Sequence, residues 1–236
     1  MNKPKKQSSQ EKSGLFSHGV EIIPTVVPAS LDDVVNARAK NHFASGLHID
    51  AADGSFAPNT TWVPNPEEKI PDAGTSVYEA HLMVDNPLST GLAFVRAGVK
   101  RIIGHVEAFS NAESAREALH MWKKAGASEA GLGVLLDTPL DSLEPYLEFC
   151  DVVLFMSIAT IGVQGIPFDE RGIGRVKEFH KKNPRITIAV DGGVSEKNIK
   201  KFARAGATRF SVGSALVKSE DPVGMYNKLH HLVGTQ

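Results

Sequence analysis

Short apolar runs and polar-faced segments alternate along the chain from residue 20 to its end. Eight runs read as strands: EIIPTVV (21–27), ASGLHID (44–50), SVYEAHLM (76–83), KRIIGHVE (100–107), EAGLGVLL (129–136), DVVLFMS (151–157), RITIAVD (185–191) and TRFSVG (208–213). Several are apolar at nearly every position, the pattern of strands covered on both faces. Helical segments lie between them, among them 30–41, 112–126, 169–182 and 195–206, with a last one at 222–233. Gly126 and Gly206 stand where a helix C-cap glycine belongs. Ser195, with Asn198 three residues on, makes an incomplete capping box. After the second run, WVPNPEEKIPDAGTS carries Pro64, Pro66 and Pro71. Proline inside a helix costs about 3 kcal/mol, so the second helix is expected to be one turn or missing. Eight strands alternating with helices predict a single α/β domain, a (β/α)8 barrel rather than an open doubly wound sheet.

The chain has 236 residues, 42% of them hydrophobic, enough for a full core. Length alone allows one or two domains, and α/β barrels of this size are usually single. Residues 1–17 are polar and lysine-rich, without the apolar core of a signal peptide, and read as a disordered tail ahead of a barrel domain at 18–236. The tail has no arginine, which speaks against a mitochondrial leader. A net charge of −1 gives no argument for nucleic acid or an anionic membrane, so an anionic substrate must be held locally. One cysteine, Cys150, excludes an intrachain disulfide, fits a reducing cytosol, and reads as buried and inert. No apolar run approaches the ~18 residues of a membrane span.

The candidate chemistry sits near the ends of three runs: His48, Asp50, His81 and Asp191. His48 and Asp50 are two apart, so a strand turns both side chains to one face. In a closed parallel barrel every strand ends at one rim, and the four residues converge there. Neutral imidazoles and carboxylates suit Zn²⁺, Fe²⁺ or Mn²⁺. Asp50 and Asp191 could also act as acid and base on opposite faces of a substrate. Taken singly, each residue has a plainer reading, a hydrogen-bonded core histidine or a capping aspartate. Four at one rim favour a metal site, because buried charge needs a partner. Two glycine-bearing loops, DGGV (191–194) and VGSAL (212–216), follow the seventh and eighth strands, where barrels commonly bind phosphate, although glycine also serves tight turns. The stretch 156–172 is long for a connection that usually takes about 2–6 residues, and reads as a mobile cover over the substrate. Asp53 reads as a turn former. His105 and Glu107 read as pocket-lining or packing residues. His42, His120, His180, His230 and His231 fall on helical segments and read as solvated.

These stretches together resemble the ribulose-phosphate 3-epimerase family, over roughly residues 20–232. The matching segments are IIPTVV, HIDAADGSFAPN, HLMVDNP, HVEAF, GLGVLLDTPLDSL, the MS of VLFMS, AVDGGVSEKNI and AGATRFSVGSAL. The resemblance implies a barrel of the ribulose-phosphate-binding type that interconverts D-ribulose 5-phosphate and D-xylulose 5-phosphate in the pentose phosphate pathway. It implies one divalent metal ion held by His48, Asp50, His81 and Asp191, with Asp50 and Asp191 as the two acid/base groups. Thr25, His81, Met83 and Met156 would line the substrate site. Gly192, Gly193, Gly213 and Ser214 would hold the phosphate, with Gly162 and Gly165 matching the outer glycines of the family's sixth loop. The expected partner is a small sugar phosphate, with no nucleic acid and no membrane, in a cytoplasmic homo-oligomer.

The chain departs from the family at three places. Thr25 stands where serine is usual. Ala52 replaces a methionine and is expected to leave extra room. The sixth loop, MSIATIGVQGIPF, is one residue longer, loses an Asn-Pro pair, and has Gln164 at an inner glycine. The last two changes motivate an alternative, 3-epimerisation of another ketose phosphate such as a 6-phosphohexulose. A barrel that binds a sugar phosphate without catalysis is a second. A decarboxylase fits poorly, because HIDAADG has no lysine where such barrels carry Asp-x-Lys-x-x-Asp.

Overall fold

The computed structural model describes residues 19–162 and 166–234. The N-terminal tail at 1–17 therefore lies outside the described residues, as does Gly165. Eight parallel strands close into a barrel in sequence order: β1 (Glu21–Val26), β2 (Gly46–Ala52), β3 (Val77–Met83), β4 (Arg101–His105), β5 (Glu129–Val134), β6 (Val152–Met156), β7 (Thr187–Asp191) and β8 (Arg209–Val212). Each expected run forms its strand, with small shifts at the ends. Outside the barrel lie α1 (Leu31–Lys40), α2 (Pro87–Ala97), α3 (Ala112–Ala125), α4 (Arg171–Lys182), α5 (Ile199–Ala205), α6 (Ser214–Val217) and α7 (Pro222–Gly234). Among the described residues no helix is long and apolar enough to cross a membrane.

Local sequence sets the helix ends. Ser30 caps α1 in a full capping box: its hydroxyl accepts from the Asp33 N–H, and Asp33 accepts from the Ser30 N–H. Gly126 and Gly206 close α3 and α5 with φ of 114° and 113°. At that backbone angle a side chain would be strained. α5 is regular from Ile199, and ahead of it the Asn198 side-chain oxygen accepts the Ser195 N–H, the half of a capping box that the spacing predicts.

No helix forms between β2 and β3, as the prolines predict. Trp62 fills part of the gap. Its indole N–H donates to Glu68, and its ring meets Phe94 of α2 edge-on at 5.6 Å. The link from β5 to β6 is a 3-10 segment, Leu140–Phe149, with Pro145 inside it. Proline lacks the N–H an α-helix would need there.

One hydrophobic core lies between the sheet and the helices. A smaller one lies within the barrel, around Ile103, Val152, Leu154 and Ala189. Beneath it, toward the strand N-termini, the barrel is ionic. Arg209 donates to Glu21, Glu79 and Glu129 at 3.1, 2.9 and 2.8 Å, and Arg101 pairs with Glu21 and Glu129. Burial opposes ionisation of Glu79, but Arg209 and His48 hold its carboxyl down at about 2.

The α2–α3 contact supplies a stability test. Gly91 of α2 faces Trp122, which is fully buried and donates its indole N–H to the Leu88 carbonyl. A Cβ at position 91 would lie 2.2 Å from that indole nitrogen. Helix propensity alone would have Gly91→Ala stabilise by about 1 kcal/mol. Overpacking reverses the sign, so we expect a loss of about 1–3 kcal/mol by urea denaturation.

Candidate active site

Register places the site. β2 and β3 pair so that His48 lies opposite Glu79 and Asp50 opposite His81, all four on the inward row. Across the barrel, Asp191 ends β7 beside Met156 of β6. One ligand atom from each of His48, Asp50, His81 and Asp191 falls within 4.8 Å of every other. His81 Nδ1 is 3.1 Å from Asp50 Oδ1 and 3.6 Å from Asp191 Oδ2. His48 Nε2 is 3.3 Å from Asp50 Oδ1.

The imidazoles have no exposed surface, whereas both carboxylates reach a cavity at the C-terminal end of the barrel. That cavity is also lined by Thr25, Met83, Met156, Gly162, Gly192, Gly193, Gly213 and Ser214. Every substrate or phosphate candidate among the described residues is therefore on its wall except His81, which sits behind the carboxylates. Val27, Ile158, Ile166, Val194 and Ser211 complete the lining; the sequence reading does not single them out. Gly192 and Gly193 adopt φ of 101° and 66°, and a Cβ on either would meet Ile158 or Phe168 at close range. Ala52 is buried with Ala57, Met83 and Met156 and is not on the cavity wall, so the extra room expected there does not open into the site.

Each imidazole is anchored from behind. His48 Nδ1 lies 2.8 Å from Glu79 Oε1 and 3.0 Å from Ser211 Oγ. His81 Nε2 lies 2.8 Å from His105 Nε2. His105 Nδ1 lies 3.2 Å from Glu107, whose other oxygen accepts the Leu135 N–H. His105 and Glu107 thus support the cluster and do not line the cavity. Above Glu129, the two inward positions of β5 are glycines. A Cβ at Gly133 would come within 3.2 Å of the His105 ring, and one at Gly131 within 2.2 Å of the Val152 carbonyl oxygen. Glu79, Arg209 and Ser211 are missed by the sequence reading. Glu79 and Ser211 each stand two residues before a recognised position, His81 and Gly213, and that spacing is the available signal.

As protein groups alone, the two carboxylates differ. Burial disfavours the Asp50 charge, but His48 and His81 outweigh it and hold its carboxyl well below the usual range. Burial and the Asp50 charge push Asp191 up. Burial opposes a charge on His48, yet Asp50 and Glu79 raise its pKa well above the ordinary histidine value. The donor set fits a divalent cation. Two carboxylates and two imidazoles converge, and His48 Nε2 is buried with no hydrogen-bond partner.

Asp53 shapes the neighbouring turn, as expected, accepting from the Ser55, Phe56 and Asp85 N–H groups. In the sixth loop, Ile158 and Phe168 form an isolated antiparallel bridge, and Gly162 packs on Asn59. Away from the site, His180 and His230 are half-buried rather than solvated. Gly206 has no side chain to keep the His180 ring out, and His230 packs edge-on to Tyr226 at 4.6 Å. Cys150 is part-buried, and burial together with Asp151 pushes its thiol up to about 12, consistent with an inert cysteine.

The barrel and its rim define a (β/α)8 protein whose His/Asp cluster is able to hold a divalent cation. Residues 22–217 match the Ribulose-phosphate 3 epimerase family. The chain is 36% identical over 191 residues to ribulose-phosphate 3-epimerase of Aquifex aeolicus, covering 79% of this chain and 84% of that protein. It is 33% identical over 226 residues to the Chlamydia muridarum enzyme, covering 92% and 96%. Among solved structures, 3-hexulose-6-phosphate synthase of Salmonella typhimurium superposes with a TM-score of 0.66 at 15% identity, covering 90% of this chain and 98% of that one. The 3-keto-L-gulonate-6-phosphate decarboxylase of Vibrio cholerae also gives 0.66, at 10% identity, covering 92% and 98%. Those two share the fold. The sequence matches show more: the chain belongs to the ribulose-phosphate 3-epimerase family, and it is an epimerase.

The Asp53 turn yields a pH test. Burial would raise its pKa, but the three amide donors outweigh that and hold it below the usual carboxyl range. A depressed folded pKa gives stability that is present above the unfolded pKa and lost as pH falls through the folded one. The urea midpoint of Asp53→Asn should therefore trail wild type at neutral pH and converge with it in acid.

Proposed function

We propose that the enzyme interconverts D-ribulose 5-phosphate and D-xylulose 5-phosphate by proton transfer at C3, with one divalent ion, Zn, Fe or Mn, held by His48, Asp50, His81 and Asp191. The observation that carries this reading is the convergence of those four side chains within 4.8 Å, with only the carboxylates at the cavity surface. When bound, the ion neutralises negative charge that builds on the substrate oxygens. Asp50 on β2 and Asp191 on β7 approach the cavity from different sides of the barrel. One removes the proton beside the carbonyl, and the other returns a proton to the opposite face of the enediolate. The two carboxyls must hold different protonation states at each step.

Gly193, Gly213 and Ser214 offer backbone N–H groups to the phosphate and anchor the substrate away from the reacting carbon, with Gly192, whose N–H donates to Asp191 Oδ1 at 2.8 Å, on the wall beside them. Thr25 presents a hydroxyl to the cavity; its oxygen is buried without a hydrogen-bond partner. Met83 and Met156 form apolar walls. The sixth loop, through Ile158, Gly162 and Ile166 on the cavity wall, shields the site from water. The reading includes a barrel domain at 18–236 behind a polar tail, and a cytoplasmic homo-oligomer working in the pentose phosphate pathway.

The test is solvent deuterium incorporation at C3 of D-ribulose 5-phosphate, with xylulose 5-phosphate followed by NMR. Chelator-stripped protein should be inactive and recover with Zn²⁺, Fe²⁺ or Mn²⁺. Asp50→Asn and Asp191→Asn should each lose about 10²–10⁴-fold in kcat. A higher kcat/KM for a 6-phosphohexulose would replace the pentulose assignment. Metal-independent epimerisation would sink the proposed centre.

A further inference from the structure

The ionic floor of the barrel and the rim cluster meet at one side chain. Glu79 has no exposed surface. Its Oε2 accepts from Arg209 Nη1 at 2.9 Å, and its Oε1 lies 2.8 Å from His48 Nδ1. Within the floor, three carboxylates (Glu21, Glu79 and Glu129) face two guanidiniums, Arg101 and Arg209. The carboxylate oxygen left over is the one turned to His48.

That matters because His48 Nδ1 has two neighbours, of which only one fixes where its proton lies. Ser211 Oγ, at 3.0 Å, can donate or accept. An ionised carboxylate can only accept. With Arg209 on its other oxygen, Glu79 requires a proton on Nδ1. In the neutral ring Nε2 is then a bare lone pair. Nε2 is also the buried atom without a hydrogen-bond partner, and it faces Asp50.

We infer that Glu79, clamped by Arg209, is a positioning residue that fixes His48 in the Nδ1–H tautomer and so aims Nε2 at the cation site. Its metal-binding consequence rests on the proposed metal centre; the tautomer itself does not. Outer carboxylates of this kind typically change metal affinity by about 10–100-fold when removed.

The experiment uses full-length, metal-stripped protein labelled with ¹⁵N-histidine. Two-bond ¹H–¹⁵N spectra are recorded at a pH that leaves His48 neutral, and Zn²⁺ and Mn²⁺ affinities are measured separately. Wild type should show His48 as Nδ1–H. Because Glu21 and Glu129 still pair with Arg209 and Arg101 once Glu79 is gone, the informative variant is Glu79→Leu. Its fold is checked by circular dichroism. In that variant only Ser211, which can donate, remains at Nδ1 while the Asp50 carboxylate still faces Nε2, so His48 should change to Nε2–H, with metal affinity reduced about 10–100-fold. Glu79→Asp should retain the wild-type tautomer. An Nε2–H wild type, or a folded Glu79→Leu variant that keeps the Nδ1–H form, overturns the inference. Wild-type protein that shows Nδ1–H yet takes up no Zn²⁺ or Mn²⁺ upholds the positioning role and removes the metal reading instead.

Discussion

Charge enclosed in a closed barrel must find its partner inside the barrel, and the arrangement of this molecule depends on that constraint. Every second residue of each strand points to the axis, where water reaches only the two ends. At the strand N-termini the chain meets the constraint with guanidiniums against carboxylates. At the other end it keeps the two imidazoles dry and lets the two carboxylates reach the cavity. Between the ends lies an apolar plug around Ile103 and Leu154. A buried ion pair replaced by packed hydrophobes is often neutral in stability, so the floor is not explained by stability alone. Its link to His48 gives it a second role.

Much of this is legible in the sequence, for identifiable reasons. The eight strands are short apolar runs separated by breakers, and the three prolines after β2 exclude a helix there. His48 and Asp50 advertise themselves by spacing, because two residues apart on a strand means one face. The glycines at 126 and 206 mark helix ends by the one backbone angle they alone tolerate cheaply. What stays hidden are contacts that join distant strands. Arg209 and Glu79 are 130 residues apart, one at the start of its strand and the other inside it, and nothing local in the sequence pairs them. Only closure brings them together. His180 escapes because helix periodicity does not report a missing side chain on the neighbouring helix. Ala52 misleads because a smaller residue opens space only where its neighbours fail to close in.

The departures from the family pattern concentrate at the cavity edge rather than in the cluster. Thr25 keeps a hydroxyl at the wall. The sixth loop is tied down at its shoulders by the Ile158–Phe168 bridge and by Gly162 against Asn59. Ligand atoms of the four rim residues lie within 4.8 Å of one another, and both glycine loops line the cavity. Differences in substrate preference are thus expected to arise from the loop side of the cavity.

The bare inner face of β5 also limits how this sequence can drift. Gly131 and Gly133 give the interior no side chain because Val152 and His105 already occupy the volume. A descendant could gain a residue at either position only after its neighbour had shrunk, and shrinking His105 would untie His81. Positions 105 and 133 should therefore change together or not at all, an order of steps imposed on evolution by the width of a barrel.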